Sequence, residues 1–507
     1  MWVDGSPRVA CVTPLRRLEG RRVTTLDGLP DHTRRRWADA LVATGGSQCG
    51  FCTPGIVMRL AALVAAGGGD SGPGSVPAPS PDRVTQSLVA HLCRCTGWQT
   101  IEEAAARAFG PDPTPVDDRR DLGAASARAG LEGGVPQRVG GDVVLGRAGF
   151  ADDGRPDGAL VAVPDGTGGY AVAGSLAEAR ARAGKVQGRS TSLSLSHPVE
   201  VPAGPWDLVL ATTWVEPAYV EPDASWAEPG GEPASPYGNG GAFGGKLHSP
   251  VAADARRLAD LYDRPVRVLW SREDVVRYGP KRPPVAGGIH GDGTGILRVG
   301  LSADVSGAGG PGTSRWDELV GRVSSVAPGL RLEAVTVPGP PVSFDLRAAV
   351  WAEAAVLAAC AGIRHRLGGE GPWCDIPVEV VGPSGGRAVA RCGSDGHVDV
   401  VVGAGPVLDE VVLRSYVIGA THQALSWVRS EGIAVDPDGG VRDLTVRSFG
   451  ILQARAMPHV EVTVEADPGR PAVNASDAVF AAVAAARWLA DGLVPRWPTD
   501  RGGAGRR

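Results

Sequence analysis

Hydrophobic and polar positions alternate in two ways along the chain. Residues 1–28 read as strand and turn: Met1-Trp2-Val3, the turn at Asp4-Gly5, a run from Arg8 to Val12, and RRVTTLDG after it. From 33 to 110 the spacing becomes helical. Thr53 can cap, Pro54 suits a first helical position, and IVMRLAALVAA continues to Gly67. SGPGSVPAPSPD is a Pro-rich connector. A second helix is predicted from Asp82 to Leu92, running into Cys93. A third is predicted from Thr100, with Glu103 completing a capping box, through EEAAARAF to Gly110. Residues 111–137 read as a polar linker. The remainder mixes strand-like runs (DLVLATTWV, RPVRVLW, VEVTVEA) with helical ones (SPVAADARRLADLY, RAAVWAEAAVLAACAG, SDAVFAAVAAARWLA) and shows no regular repeat. The fold class is α+β, multidomain. The 73 glycines and 42 prolines predict many turns, or partial disorder near 305–340 and 383–405.

At 507 residues the chain exceeds one ordinary domain, and two or three are expected. A net charge of −5 and a pI near 6.0 leave no electrostatic footprint for nucleic acid or an anionic membrane. No apolar run is long enough to span a bilayer, and MWVDGSPRVACVTP lacks the pattern of a signal peptide, so the expected location is cytoplasmic. Of eight cysteines, four fall between 49 and 95, which favours metal ligation over a disulfide framework. Cys360, Cys374 and Cys392 read as ordinary thiols. Lysine is confined to Lys185, Lys246 and Lys281, each in a Gly- or Pro-rich stretch.

The clustered thiols are Cys49-x2-Cys52 and, forty residues later, Cys93-x-Cys95. Both pairs sit at predicted helix boundaries, where backbone N–H groups favour thiolate. Spacing alone admits a [2Fe–2S] cluster or a structural zinc, although C-x-C is tight for one tetrahedral ion. QCGFCTPG, the gap and CRCTGWQTI together resemble the helical [2Fe–2S] domain of the xanthine dehydrogenase and aldehyde oxidase family of molybdenum hydroxylases, which includes the carbon monoxide dehydrogenase small subunit. The resemblance implies a helical bundle with Cys49, Cys52, Cys93 and Cys95 as iron ligands, and Gln48 near a pterin. It also implies that residues 1–28 are the end of a plant-type ferredoxin domain, with Cys11 at the position of its fourth ligand. The first three ligands are absent, so either the gene start is misassigned or that second cluster is lost. Domains of 29–110 (helical, [2Fe–2S]-binding), 111–137 (linker) and 138–507 (a mixed α/β molybdopterin-binding-like domain) follow.

NGGAFGGK, from Asn239 to Lys246, can aim successive N–H groups into one concavity, though a glycine turn is the plain alternative. It resembles the family's GGxFGGK loop, which implies cofactor contacts from Gly240, Gly241, Ala242, Phe243 and Gly244. WVEPAYVEPDASW resembles the segment before that loop. THQALSWVRSEG resembles a later cofactor-lining segment, with Gln423 as a pterin contact or else part of a helix surface. The chain also departs from the family. A family glutamate that acts as general base precedes the last helix, and here EADPGRPAVNASDAVFAA places Arg470 at its position, a residue that stays protonated. Glu465 or Asp467 could substitute only in a shifted register, so no catalytic residue is assigned. The domain is short for the family, and much of the usual substrate funnel is expected to be missing. Lys246 and Lys281 argue for anion binding; a solvated turn is the alternative for Lys281.

Two functions are expected from these residues. One is an iron–sulfur oxidoreductase passing electrons between a molybdopterin-type site and a partner, such as a separate FAD-binding chain, while acting on a small-molecule substrate. The other is a non-catalytic electron-transfer or assembly subunit with a degenerate molybdopterin domain.

Overall fold

The computed structural model describes residues 1–65, 79–110, 120–184, 194–302 and 309–501. Most of the Pro-rich connector and Lys185 lie outside them. The N-terminal residues form a small antiparallel sheet of β1 (Trp2–Val3), β2 (Ser6–Pro7) and β3 (Val23–Thr24), in the order β2-β1-β3. A helical group follows: α1 (Asp31–Thr44), α2 (Thr53–Ala65), α3 (Pro81–Ser87) and α4 (Gln99–Phe109). Its core is Trp37, Leu41, Leu60, Trp98 and Ile101, all buried.

Several local expectations are corrected here. The second helix stops at Ser87 because Arg59 of α2 takes the Ser87 carbonyl at 2.8 Å. The third begins at Gln99, and Thr100 does not cap it. The Gln99 side chain instead pairs with both backbone groups of Val460, at 2.9 and 3.1 Å. Glu103, predicted to close the capping box, pairs with Arg414. The stretch read as linker contains α5 (Leu122–Gly133), capped by Asp121, whose Oδ1 accepts from the Gly123 and Ala124 amides. α6 (Gly141–Val144) follows it.

The larger part begins with β4 (Leu160–Pro164), β5 (Tyr170–Ala173), α7 (Leu176–Ala183), β6 (Leu208–Ala211), β7 (Ala224–Ala227), α8 (Val251–Tyr262), β8 (Val266–Leu269) and α9 (Arg272–Tyr278). β9 (Val285–Ile289), β10 (Gly295–Leu301), α10 (Ser314–Val326), β11 (Leu330–Thr336) and α11 (Trp351–Leu367) come next. β12 (Val378–Val381), β13 (Arg387–Cys392), β14 (Val398–Gly403), α12 (Glu410–Arg429), β15 (Val460–Glu465) and α13 (Ser476–Ala490) complete it. Three four-stranded sheets result, ordered β5-β4-β8-β7, β11-β10-β9-β6 and β12-β13-β14-β15. The described parts of the two stretches expected to be partly disordered hold α10, β11, β13 and β14. In β14, Val398, Val400 and Val402 are buried on one face, the period of a half-buried strand.

α11, α12 and α13 pack as the central helices of the main core, with Trp427 stacked on Phe480. Nearly all of α12 from Val412 to Val428 is buried, so the surface-helix alternative for Gln423 fails. Among the described residues no helix is long and apolar enough to cross a membrane.

Candidate redox centre and adjoining cavity

Two loops bring the thiols together. Cys49 and Cys52 lie on the turn between α1 and α2, and Cys93 and Cys95 on the turn between α3 and α4. The Sγ atoms of Cys49 and Cys95 are 3.7 Å apart. Two thiolates on one tetrahedral metal, each at about 2.3 Å, sit roughly 3.7–3.8 Å apart. Cys52 and Cys93 are likewise mutual hydrogen-bond partners. Cys93 and Cys95 also contact each other, so the four thiols form one continuous group, Cys52–Cys93–Cys95–Cys49. Cys93 is held well below the usual thiol range because Cys52, Cys95 and the Thr96 hydroxyl all stabilise its thiolate. The Cys95 thiol is pushed up, first by its bond to Cys49. Among the described residues no three His, Cys, Asp or Glu side chains come together as ligands of one metal ion. Four thiols gathered from two loops are the number of ligands that a [2Fe–2S] cluster takes. Cys11 is exposed on the N-terminal turn, and Cys360 and Cys392 are buried in the main core.

The second cysteine loop is clamped by the other part of the chain. Gln48 Nε2 donates to the Cys95 carbonyl at 3.1 Å and to Ser415 Oγ at 2.9 Å. Gln423 Nε2 donates to the Arg94 carbonyl at 3.0 Å. The Arg94 guanidinium is bidentate to Glu431, with one bond of 2.7 Å, and its Nε donates to Pro217 O. At Gly419 of α12, an added Cβ would lie 1.8 Å from the Cys95 carbonyl oxygen, so only glycine permits this approach. His422, one turn further on, is pushed down to about 4, chiefly by burial and then by the Arg94 charge.

Beside the thiols opens a cavity of about 150 Å³. Gln48, Cys49 and Cys95 form one wall, and Gly240, Gly241, Ala242, Phe243 and Gly244 another. Ala242 and Phe243 adopt left-handed φ values of 51° and 57°, uncommon for residues with a side chain. Gly244, at φ 84°, has the Asp345 carbonyl 1.8 Å from where a Cβ would stand. The glycine run does not aim all its amides into the cavity. Those of Gly240, Gly244 and Gly245 donate to Tyr237 O, Gly241 O and Ala242 O within the loop.

Several residues expected at this site lie elsewhere or are otherwise engaged. Gln423, on α12, binds the cysteine loop away from this cavity and lines a smaller one of about 40 Å³ beside Phe243. Lys246 is buried and paired with Glu221 at 2.8 Å. Lys281 is buried against Glu216 at 2.9 Å and also donates to the Gly279 carbonyl. Neither lysine is available to an anion, and Lys281 is not a solvated turn. Arg470 is 72% exposed and paired with Asp467, outside the cavity. Glu465 is exposed and paired with Arg387. The turn that does reach the cavity is Asn474–Asp477, at the start of α13.

Other cavity residues escape a reading of the sequence. Arg347 lies over the Phe243 ring and pairs with Asp477 at 3.2 Å. Burial raises the pKa of Asp477, with Arg347 opposing. Glu132, from α5, accepts from the Ala475 and Ser476 amides at the N-terminus of α13 and pairs with Arg128. Its pKa is also raised, first by burial. Tyr416 donates to Gln137 Oε1 at 2.6 Å. These residues carry no motif. The arginine that opens RAAVWAEAAV, a stretch whose pattern says only helix, is the one available signal.

Residues 25–106 match the family of [2Fe-2S] binding domains. Aldehyde oxidase 4 of Rattus norvegicus is 37% identical over 108 residues, which are 21% of this chain and 7% of that protein. A probable xanthine dehydrogenase subunit of Bacillus subtilis is 34% identical over 105 residues, 21% of this chain and 56% of that protein. The match thus spans a small part of the first relative's length and just over half of the second's. Among solved structures, the aldehyde oxidoreductase of Desulfovibrio gigas superposes with a TM-score of 0.67 at 14% identity, covering 98% of this chain and 93% of that one. The sequence likeness is concentrated where the four thiols lie, and the shared fold extends over nearly the whole chain. Residues 25–106 thus belong to the family of [2Fe-2S] binding domains, and the chain is similar there to xanthine dehydrogenases and aldehyde oxidases.

Proposed function

We propose that this protein is an iron–sulfur oxidoreductase in which Cys49, Cys52, Cys93 and Cys95 hold a [2Fe–2S] cluster. In this reading it passes electrons between a molybdopterin-type group in the adjoining cavity and a partner chain. One observation carries the proposal: Cys49 and Cys95 belong both to the thiol quartet and to the cavity wall. A group in that cavity would stand against two cluster ligands, with no intervening layer of protein.

The residues present fit the two groups unequally. The four thiols come together from two loops, in the number a binuclear cluster needs, with Cys49 and Cys95 3.7 Å apart. On the cavity side, Gln48, Gln137, Tyr416 and Asn474 are neutral polar groups of the kind that a pterin edge pairs with, and Gln48, Tyr416 and Asn474 already donate to protein acceptors. The charged groups do not favour its phosphate, since Lys246 is taken by Glu221 and Arg347 by Asp477. The cavity is also smaller than the roughly 300–1,000 Å³ of common ligand sites. A molybdopterin-type group, when bound, supplies the two-electron chemistry that no side chain can.

The chain's own part is to bind and orient. Gln48 fixes the Cys95 carbonyl, and Phe243 and Arg347 shape one wall. Asp477 is a cavity carboxylate suited to hold a proton, because burial raises its pKa more than Arg347 and Arg282 lower it. The partner is a separate redox chain, such as an FAD-binding subunit, and the substrate is a small molecule. The loop bonds turned inward at Gly240, Gly244 and Gly245, and the spent lysines, favour a second reading as an electron-transfer subunit without its own metal chemistry.

Replacing one ligand tests the proposal. Cys52→Ser should bleach the visible absorbance of the cluster. Unchanged absorbance would remove Cys52 from the ligand set.

A further inference from the structure

The geometry points to the Arg94–Glu431 ion pair as the element that sets the reduction potential of the cluster. This rests on the cysteine assignment proposed above. Arg94 stands in the chain directly between Cys93 and Cys95, and buried His422 senses both the Arg94 charge and Cys93. Its side chain is 5% exposed and that of Glu431 is 2% exposed. Neither charge is screened by water, so each acts on the cluster at the low effective dielectric of the interior. The charge cannot swing away, because Arg94 Nε is held by Pro217 O and its carbonyl by Gln423.

A loop tie alone would not require a bidentate, buried ion pair reaching across 337 positions of sequence. Reduction adds one negative charge to the cluster. A buried cation nearby favours that step, and a buried anion opposes it. As built, the two nearly cancel, and removing either should move the potential in opposite directions. Glu431 is thus a positioning and tuning residue supplied to the cluster by the other part of the chain.

Redox titration of the full-length, cluster-loaded protein, followed by electron paramagnetic resonance at fixed pH and ionic strength, tests this. Glu431→Gln keeps the shape and a hydrogen bond while removing the negative charge, and its midpoint should rise. Arg94→Gln should lower it. Arg94→Lys keeps the charge but loses the fork, and its midpoint should lie between wild type and Arg94→Gln. Shifts in the same direction, or no shift in Glu431→Gln, would overturn the inference. So would loss of iron from Glu431→Gln and Arg94→Lys alike, since the pair would then only hold the loop. Iron-free wild-type protein would overturn the cysteine assignment itself, a failure visible before any variant is made.

Discussion

Arg470 and Lys246 are the residues whose chemistry changes most between sequence and structure. Arg470 is expected at the position of a glutamate in the family that the sequence resembles, because it stands in the Pro-Gly turn before the last helix. That turn is exposed, and the chain enters the cavity only at Asn474–Asp477. Register within an irregular turn is not encoded in any periodicity, so the four-residue difference is illegible in sequence. Lys246 and Lys281 stand out by rarity, but rarity does not reveal a buried partner 25 or 65 positions away. Lys281→Met leaves Glu216 charged and buried, and should destabilise the protein by about 3–5 kcal/mol in chemical denaturation. A loss below about 1 kcal/mol would mean that Arg272, 3.9 Å from Glu216, compensates the buried charge. Glu102 gives a pH signature. Burial, then Glu103, raises its pKa from 4.5 to about 7 in the folded protein. Its contribution is therefore fully present below pH 4.5 and is lost as pH rises through about 7. Glu102→Gln should match wild type in melting temperature at pH 4 and exceed it at pH 8; equal curves at both would contradict the shift.

The helices around the thiols are legible as elements because α2 and α4 carry an apolar face and recognisable boundaries. α5 is not, because it buries alanines and an Arg128–Glu132 pair in place of large apolar residues, and so it reads as linker. That reading hides Glu132 and Gln137 from the cavity. α12 is half legible: THQALSWVRSEG stands out as a segment, but its burial depends on α11, α13 and the cysteine loop packing around it, which no local pattern shows. α12 is the cradle of the second cysteine pair, and at Gly419 the Cys95 carbonyl leaves no room for a Cβ. Gly419→Ala should push the Cys95 carbonyl away, costing at least about 2 kcal/mol of stability and lowering iron content. Retention of both would mean that the loop and α12 can separate without consequence.

At the scale of the whole molecule, the two parts of the chain meet at the thiols. The cysteine loops come from the helical part, while Gln423, Glu431, Ser415 and the glycine loop come from the part that follows. The four cysteines and the 240–244 loop are visible in sequence because each is a compact motif. Their adjacency, with Cys49 and Cys95 on the cavity wall, is a product of tertiary packing. It also turns two separate motifs into a single proposed electron path. The central claim is that this junction holds a two-iron cluster, and metal analysis with a visible spectrum on anaerobically purified protein tests it most directly. The account predicts about two irons per chain, no stoichiometric zinc, and visible charge-transfer absorbance that Cys52→Ser removes. Molybdenum in the same sample would assign chemistry to the cavity, and its absence would favour the electron-transfer reading. A colourless protein with stoichiometric zinc and no iron would contradict the account.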